Sequence, residues 1–274
     1  MSFILIAIDG TSSATGYNTT YETENGIATN VSFVRQFYDA ASIGAKRFWE
    51  GPQNAATGTD SGGILESAWT FLAGRLSVFP ESKVVLVGHS RGGHMVTALA
   101  IRLGKYSVGD FQSKMTMPGG QTTNPPQLVH FLRLYDAVDR TYSIGGDTEV
   151  VPPNVVNFAH AIRSPWVGSR TTFGNTATRA NKSNVHLSNY SVTPFSATHG
   201  AIGGAVPHRC PSTVEFASQF SSIGVVKAIA TQEAIVPMLD DFCHLGLAQS
   251  QNTQASKAAN AYILAEARRA RVPI

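Results

Sequence analysis

Between Lys83 and Arg102 the chain runs Val84-Val85-Leu86-Val87-Gly88-His89-Ser90-Arg91-Gly92-Gly93-His94, then continues through Met95 and Leu99. A short, continuously apolar, β-branched run meets a Gly-x-Ser-x-Gly turn, and residues at helical spacing follow as far as Gly104. A serine nucleophile needs that order. A strained strand-to-helix corner pushes the Ser90 hydroxyl out of the backbone, and the flanking positions are glycine because a Cβ there would strike a neighbouring strand or helix. The first N–H groups of the helix, and the positive end of its dipole, then face the place where an oxyanion would form. The chemistry expected is attack of the Ser90 oxygen on a carbonyl carbon. In a chain with 25 glycines the pentapeptide alone is a weak motif. The strand before it and the helix after it carry the reading.

Such a serine needs a base within hydrogen-bond reach, and the base needs an acceptor that fixes its tautomer and stabilises the imidazolium. In α/β hydrolases the order along the chain is Ser, then Asp or Glu, then His. Asp136 is the leading acid because it ends Val129-His130-Phe131-Leu132-Arg133-Leu134-Tyr135, a run apolar enough for a sheet interior. Asp139 is the alternative, and an Asp136 that merely caps the next turn is the plain structural reading. For the base, His199 stands in Thr198-His199-Gly200-Ala201-Ile202-Gly203-Gly204, a loop whose small neighbours let a ring approach another side chain. His160, His208 and His244 also follow Asp136, so the residues by themselves leave the base open. His89 and His94 flank the serine, but an elbow directs Ser90 away from its flanks. The oxyanion hole takes one N–H from Arg91 and a second from a loop after another central strand. Gly10 and Thr11, after the apolar run Phe3 to Ile8, are placed to supply it, although Asp9-Gly10-Thr11 also reads as an ordinary strand-ending turn.

These residues are far apart in sequence, so regular elements must deliver them to one edge. The patterns predict strand 3–8, a polar loop 10–28, helix 30–41, strand 46–49, a Gly-rich loop 51–63 and helix 64–79. Strand 83–87, helix 93–103, a Met-, Pro- and Gly-rich loop 104–126, and strands 127–135 and 155–162 follow. The Met115-Thr116-Met117-Pro118-Gly119-Gly120 stretch is a candidate lid or pocket wall, or a plain surface loop. A final helix from Gln254 is expected to turn Ala258, Ala261, Tyr262 and Ala265 to one face and to end on Arg268, Arg269 and Arg271, whose charges complement its dipole. Alternating strands and helices predict a mostly parallel sheet with helices on both faces, in one domain over residues 1–274. In such sheets ligand chemistry gathers at the carboxyl ends of the strands, where Asp9, Ser90 and Asp136 each follow a predicted strand.

Composition narrows the class. The chain has 274 residues, 43% of them apolar, enough for a full core, and a net charge of +3 makes no electrostatic case for nucleic acid. The apolar opening lacks a basic leader region and runs straight into Asp9, so it reads as a strand, not a signal peptide. No segment reaches the length of a membrane span. A soluble protein is expected, cytoplasmic or exported without a signal peptide, with peripheral lipid contact left open. Two cysteines, Cys210 and Cys243, exclude a disulfide framework but not a single bridge. The sequons at Asn18, Asn30, Asn181 and Asn189 carry little weight without a secretion signal. The histidines show no metal-ligand spacing, so neither a metal nor a cofactor is expected.

Taken in order, the motifs resemble an α/β-hydrolase domain family that includes the type VI secretion phospholipase effectors. The matching features are Ile8-Asp9-Gly10-Thr11, Thr29-Asn30-Val31, Arg47 to Gly51 followed by Gly58-Thr59, the elbow, Tyr135-Asp136-Ala137-Val138, His160-Ala161, and His199 before Gly203-Gly204. Arg163-Ser164 stand where that family carries acidic residues. The resemblance implies a Ser90, Asp136, His199 triad acting on carboxylic esters, with phospholipids or other lipid esters as substrates. A thioesterase or acyltransferase would use the same triad, and a catalytically silent scaffold that binds a partner is the reading from another class.

Overall fold

In the computed structural model, residues 2–11, 32–53, 58–112, 126–138, 148–167, 174–204 and 249–274 are described. Among them six strands form one parallel sheet: β1 (Phe3–Ile8), β2 (Ala45–Trp49), β3 (Lys83–His89), β4 (Val129–Tyr135), β5 (Val155–Arg163) and β6 (Asn189–Phe195). Their order across the sheet is β2-β1-β3-β4-β5-β6. The chain winds outward from β1 to β2 and then returns to lay β3 on the other side. The carboxyl ends of β1 and β3 therefore flank a topological switch point, where open α/β sheets bind ligands.

Two helical layers cover the sheet. Ile4, Ile6 and Ile8 of β1 share a core with Trp69, Leu72 and Leu76 of α2 (Ser61–Leu76) and with Val96, Leu99 and Leu103 of α3 (Arg91–Leu103). The intervening Leu5 and Ala7 face the other layer. There Phe33, Val34 and Phe37 of α1 (Phe33–Ala40) pack beside Ala259, Ile263 and Ala267 of the last helix. Strands buried on both faces have no polar side to alternate with, which is why β1 and β3 read as unbroken apolar runs. Short helices α4 (Val108–Gln112) and α5 (His199–Ile202) precede that last helix, α6 (Gln249–Arg269). Among the described residues no helix is long and apolar enough to cross a membrane.

Several boundaries differ from the sequence reading for identifiable reasons. Helix α1 starts at Phe33, not Asn30, because Ser32 caps it, its Oγ accepting the Arg35 N–H at 3.1 Å. Helix α3 starts at Arg91, since the turn is completed within Ser90 alone. Strand β6 was not anticipated. Its sequence is half polar and contains Pro194, a pattern tolerated at a sheet edge, where one side of the ladder needs no partner. In α6 the expected apolar face is displaced by about one position. Ala258, Ala261 and Ala265 are exposed, whereas Asn252, Ser256, Ala259, Ile263 and Ala267 are buried. Counting only apolar residues chose the wrong stripe, because the true one begins with Asn252 and Ser256. Arg269 pairs with Glu266 at 2.6 Å, and Arg268 and Arg271 are exposed. Cys210, Cys243 and residues 113–125 of the candidate lid lie outside the described residues, as do the Thr29-Asn30-Val31 motif and the sequons at Asn18 and Asn30.

A fully buried charge sits in the α1/α6 layer. Arg133 of β4 is fully buried, and its guanidinium lies 4.0 Å from the Phe37 ring centre and 4.7 Å from that of Tyr135. Among the described residues none of its three side-chain nitrogens has a hydrogen-bond partner. Burial holds its pKa well below the usual arginine value. Two ring faces compensate only part of the desolvation of a cation. Arg133→Met, which fills similar volume without charge, is expected to stabilise the protein by about 1–3 kcal/mol, read as a rise in the urea midpoint at unchanged slope.

Candidate active site

The turn after β3 forces Ser90 to φ 53° and ψ −127°, a conformation that L residues rarely hold. Backbone hydrogen bonds fix it there. Ser90 N–H donates to the Tyr135 carbonyl at 3.1 Å, and the Ser90 carbonyl accepts from Val138 N–H at 3.2 Å and His94 N–H at 3.3 Å. The flanking glycines are required by contact. A Cβ on Gly88 would lie 2.5 Å from the Gly92 carbonyl oxygen, and one on Gly92 would run into the Ile8 and Asp9 carbonyls of the neighbouring strand. Backbone atoms cannot yield at that range, so the helix can approach β1 and β3 only with glycine at both positions.

Parallel register delivers the other groups to the same edge. His89 pairs with Tyr135, and Tyr135 with Ala161, so the residues following β3, β4 and β5 lie side by side. Asp136 follows β4 at φ 35° and is fully buried. His199 comes just beyond β6, not in an irregular loop as the sequence suggested but as the first residue of α5, with Thr198 as N-cap. Its Nε2 lies 2.8 Å from Ser90 Oγ, and its Nδ1 lies 2.7 Å from Asp136 Oδ2. With the proton on Nδ1, the ring donates to the carboxylate and accepts the Ser90 O–H, which makes one continuous donor–acceptor line.

Asp136 has two further donors. Arg163 N–H reaches Oδ1 at 3.2 Å, and Arg163 Nη1 reaches Oδ2 at 2.6 Å. Burial by itself would raise the Asp136 pKa; the hydrogen bond and charge of His199, and then those of Arg163, outweigh it and hold the carboxyl far below its ordinary range. His160, another candidate base, has a different place. Its Nε2 accepts the Ala137 N–H at 3.0 Å, bracing the turn that carries Asp136, and burial lowers its pKa to about 4. Asp139, His208 and His244 lie outside the described residues.

Sequence reasoning missed the contribution of α6. Thr198 N–H donates to Asn252 Oδ1 at 3.0 Å, Asn252 Nδ2 donates to Thr198 Oγ1 at 3.2 Å, and Ser256 Oγ donates to the Ala201 carbonyl at 2.6 Å. These bonds seat the short helix that carries His199. The polar residues at i and i+4 on an otherwise alanine-rich face were the available clue, since buried polar groups are there to bond something.

On the other flank of Ser90, a Cβ on Gly10 would lie 3.2 Å from Ser90 Cβ, so this backbone borders the serine. Gly10 N–H, expected as an oxyanion donor, is engaged at 2.8 Å by Asp9 Oδ1. Thr11 Oγ1 accepts from Arg91 Nη1 at 3.3 Å, and Arg91 N–H opens α3, where the first turn has no intrahelical acceptors. His89, set aside as a partner for Ser90, meets the backbone of His199: its Nε2 lies 3.2 Å from the His199 carbonyl, and the two ring centres are 5.0 Å apart. His89 Nδ1 is 3.9 Å from Asp9 Oδ1.

Burial raises the Asp9 pKa to about 6, against the opposing hydrogen bonds of Ser32 and Gly10. The native state thus binds this proton more tightly than the unfolded chain, whose aspartate titrates near 3.8. Stability from this group is full below the unfolded value and is lost as pH rises toward 6. Asp9→Asn, which imitates the protonated form, is expected to flatten that loss and add on the order of 2 kcal/mol at pH 7.5, read from urea unfolding at pH 4.5 and 7.5.

Among the described residues no group of three or more His, Cys, Asp or Glu side chains converges as a metal site would. Among the described residues a six-stranded parallel sheet, helices on both faces and an elbow at the switch point define an α/β fold. No protein family matches the chain, and none of the curated proteins does. Among solved structures the chain is similar to an acetyl xylan esterase, with 11% identity and a TM-score of 0.36, over 98% of this chain and 97% of that one.

Proposed function

We propose that the protein hydrolyses carboxylic esters through an acyl-enzyme on Ser90. The observation that carries this reading is the unbroken line from Ser90 Oγ through His199 to Asp136, with both contacts below 3 Å. Ser90 attacks the ester carbonyl while His199 Nε2 takes its proton. Asp136 keeps the Nδ1 proton in place and stabilises the imidazolium. Arg91 N–H, with Thr11 beside it, holds the oxyanion, and His199 then returns the proton to the departing alkoxide. Water attacks the acyl-enzyme by the same route in reverse.

Gly10 N–H joins the oxyanion donors only when Asp9 releases it, a change that protonation of this carboxyl near pH 6 would favour. The motif resemblance adds lipid esters, phospholipids included, as the substrate class. Fluorophosphonate labelling of the wild type and of Ser90→Ala tests the nucleophile, and p-nitrophenyl esters from acetyl to palmitoyl test the substrate. Labelling that disappears in the variant is expected. A long-chain optimum supports a lipase or phospholipase, and a short-chain optimum a simple esterase. A folded wild type that never labels overturns the reading in favour of a silent binding scaffold.

A further inference from the structure

Arg163 is the last residue of β5, and the Tyr135–Ala161 register carries it past Ala161 to the Asp136 turn. Its side chain is 8% exposed, and the residue donates to the carboxylate twice, its backbone N–H to Oδ1 and its guanidinium Nη1 to Oδ2. A partner needed only to neutralise a buried acid could sit on either oxygen. This guanidinium sits on Oδ2, the oxygen that also receives His199 Nδ1.

We propose that Arg163 is a positioning residue for the relay: it orients the Asp136 carboxylate, and its fixed charge on the oxygen shared with His199 sets the pH at which that imidazole becomes a base. The idea deepens the acyl-enzyme reading and rests on it for its kinetic part. A cation this close disfavours a second one on the imidazole and draws off carboxylate charge that would otherwise stabilise it. Both effects keep His199 neutral, and so basic, at lower pH.

Among the described residues the other cation beside the elbow is Arg91 of α3, whose Nη1 donates to Thr11 Oγ1 at 3.3 Å on the far flank of Ser90 from the carboxylate. From β3 the elbow contributes Ser90 and the His89 ring, and Asp9 of the β1 turn stands behind His89 at 3.9 Å. From β5 comes His160, which burial keeps neutral. From α6 come the uncharged Asn252 and Ser256, bonded to Thr198 and Ala201. Among the described residues, then, Arg163 is the permanent cation against the acid–base pair.

The test follows His199 directly, by NMR titration of protein carrying ring-labelled histidine, the resonance being assigned by its loss in His199→Gln. In Arg163→Met the midpoint is expected to rise by about one pH unit, the acid limb of kcat/KM moving with it. Arg163→Lys, which restores the charge, is expected to return both to within about 0.3 unit of wild type. An unmoved midpoint in Arg163→Met overturns the proposal. If that variant does not fold, Arg163→Gln, which keeps a donor without charge, carries the same expectation and the same overturning result. A shifted midpoint in a protein whose hydrolysis does not depend on Ser90 would overturn the acyl-enzyme reading and leave the Arg163–His199 coupling standing. Ser90-dependent hydrolysis with an unmoved midpoint would do the reverse.

Discussion

Ser90→Ala is expected to lower turnover of a p-nitrophenyl ester by about 10⁶-fold while leaving the protein folded. The loss is large because the remaining members of the relay have nothing to deliver their proton transfer to, so removing the nucleophile costs as much as removing all three. What survives, about 10³-fold over water, would come from binding and the oxyanion donors. The fold is expected to persist because the strain at φ 53° belongs to the backbone, which three hydrogen bonds hold, and alanine meets the same steric penalty there as serine. Kinetics and a thermal melt on the same samples check both halves. Wild-type rates in a Ser90→Ala protein would sink the assignment of the nucleophile.

Asp136→Asn is expected to cost about 10⁴-fold in kcat, since an amide at this position can favour the wrong His199 tautomer and cannot stabilise an imidazolium. Unlike the serine change, it should also weaken the fold. The Arg163 guanidinium would be left buried without its counter-charge, a loss of about 3 kcal/mol or more. The pH dependence gives a second reading of the same group. Its native pKa is held below the unfolded value of 3.8, so its stabilisation is complete above that value and is lost as pH falls below it. Wild type should lose stability in that acid window, and Asp136→Asn should lose less of it. Equal acid sensitivity in the two proteins would show that Asp136 is not held ionised as described.

Asp9 acts in the opposite direction, its contribution fading between 3.8 and about 6. The two aspartates together predict a stability maximum close to their shared unfolded value of 3.8, where Asp136 is already ionised and Asp9 still holds its proton in the native state. They differ because Asp136 has a guanidinium and an imidazole within 3 Å, whereas among the described residues Asp9 has no ion pair closer than His89 at 3.9 Å.

The features of this protein whose physics is local were legible in its residues. A strand buried on both faces must be continuously apolar, and an elbow must have glycine where another backbone passes; Val84 to Val87 and Gly88 to Gly92 therefore announced β3, α3 and the serine at the corner between them. Parallel topology followed from alternating elements. The edge strand β6, half polar and interrupted by Pro194, gave no such pattern, and its absence left His199 in an apparent loop. The small neighbours of His199 marked it as a candidate, but tertiary structure decided which histidine meets Ser90, by turning His160 Nε2 to the Ala137 N–H and His199 Nε2 to the serine. It also decided the buried face of α6, which Asn252 and Ser256 define through bonds to α5, and the engagement of Gly10 N–H by Asp9. The pairing of Arg163 with Asp136 belongs with these. Contacts between residues tens of positions apart depend on register across neighbouring strands, and a single-residue shift in that register would part every one of them.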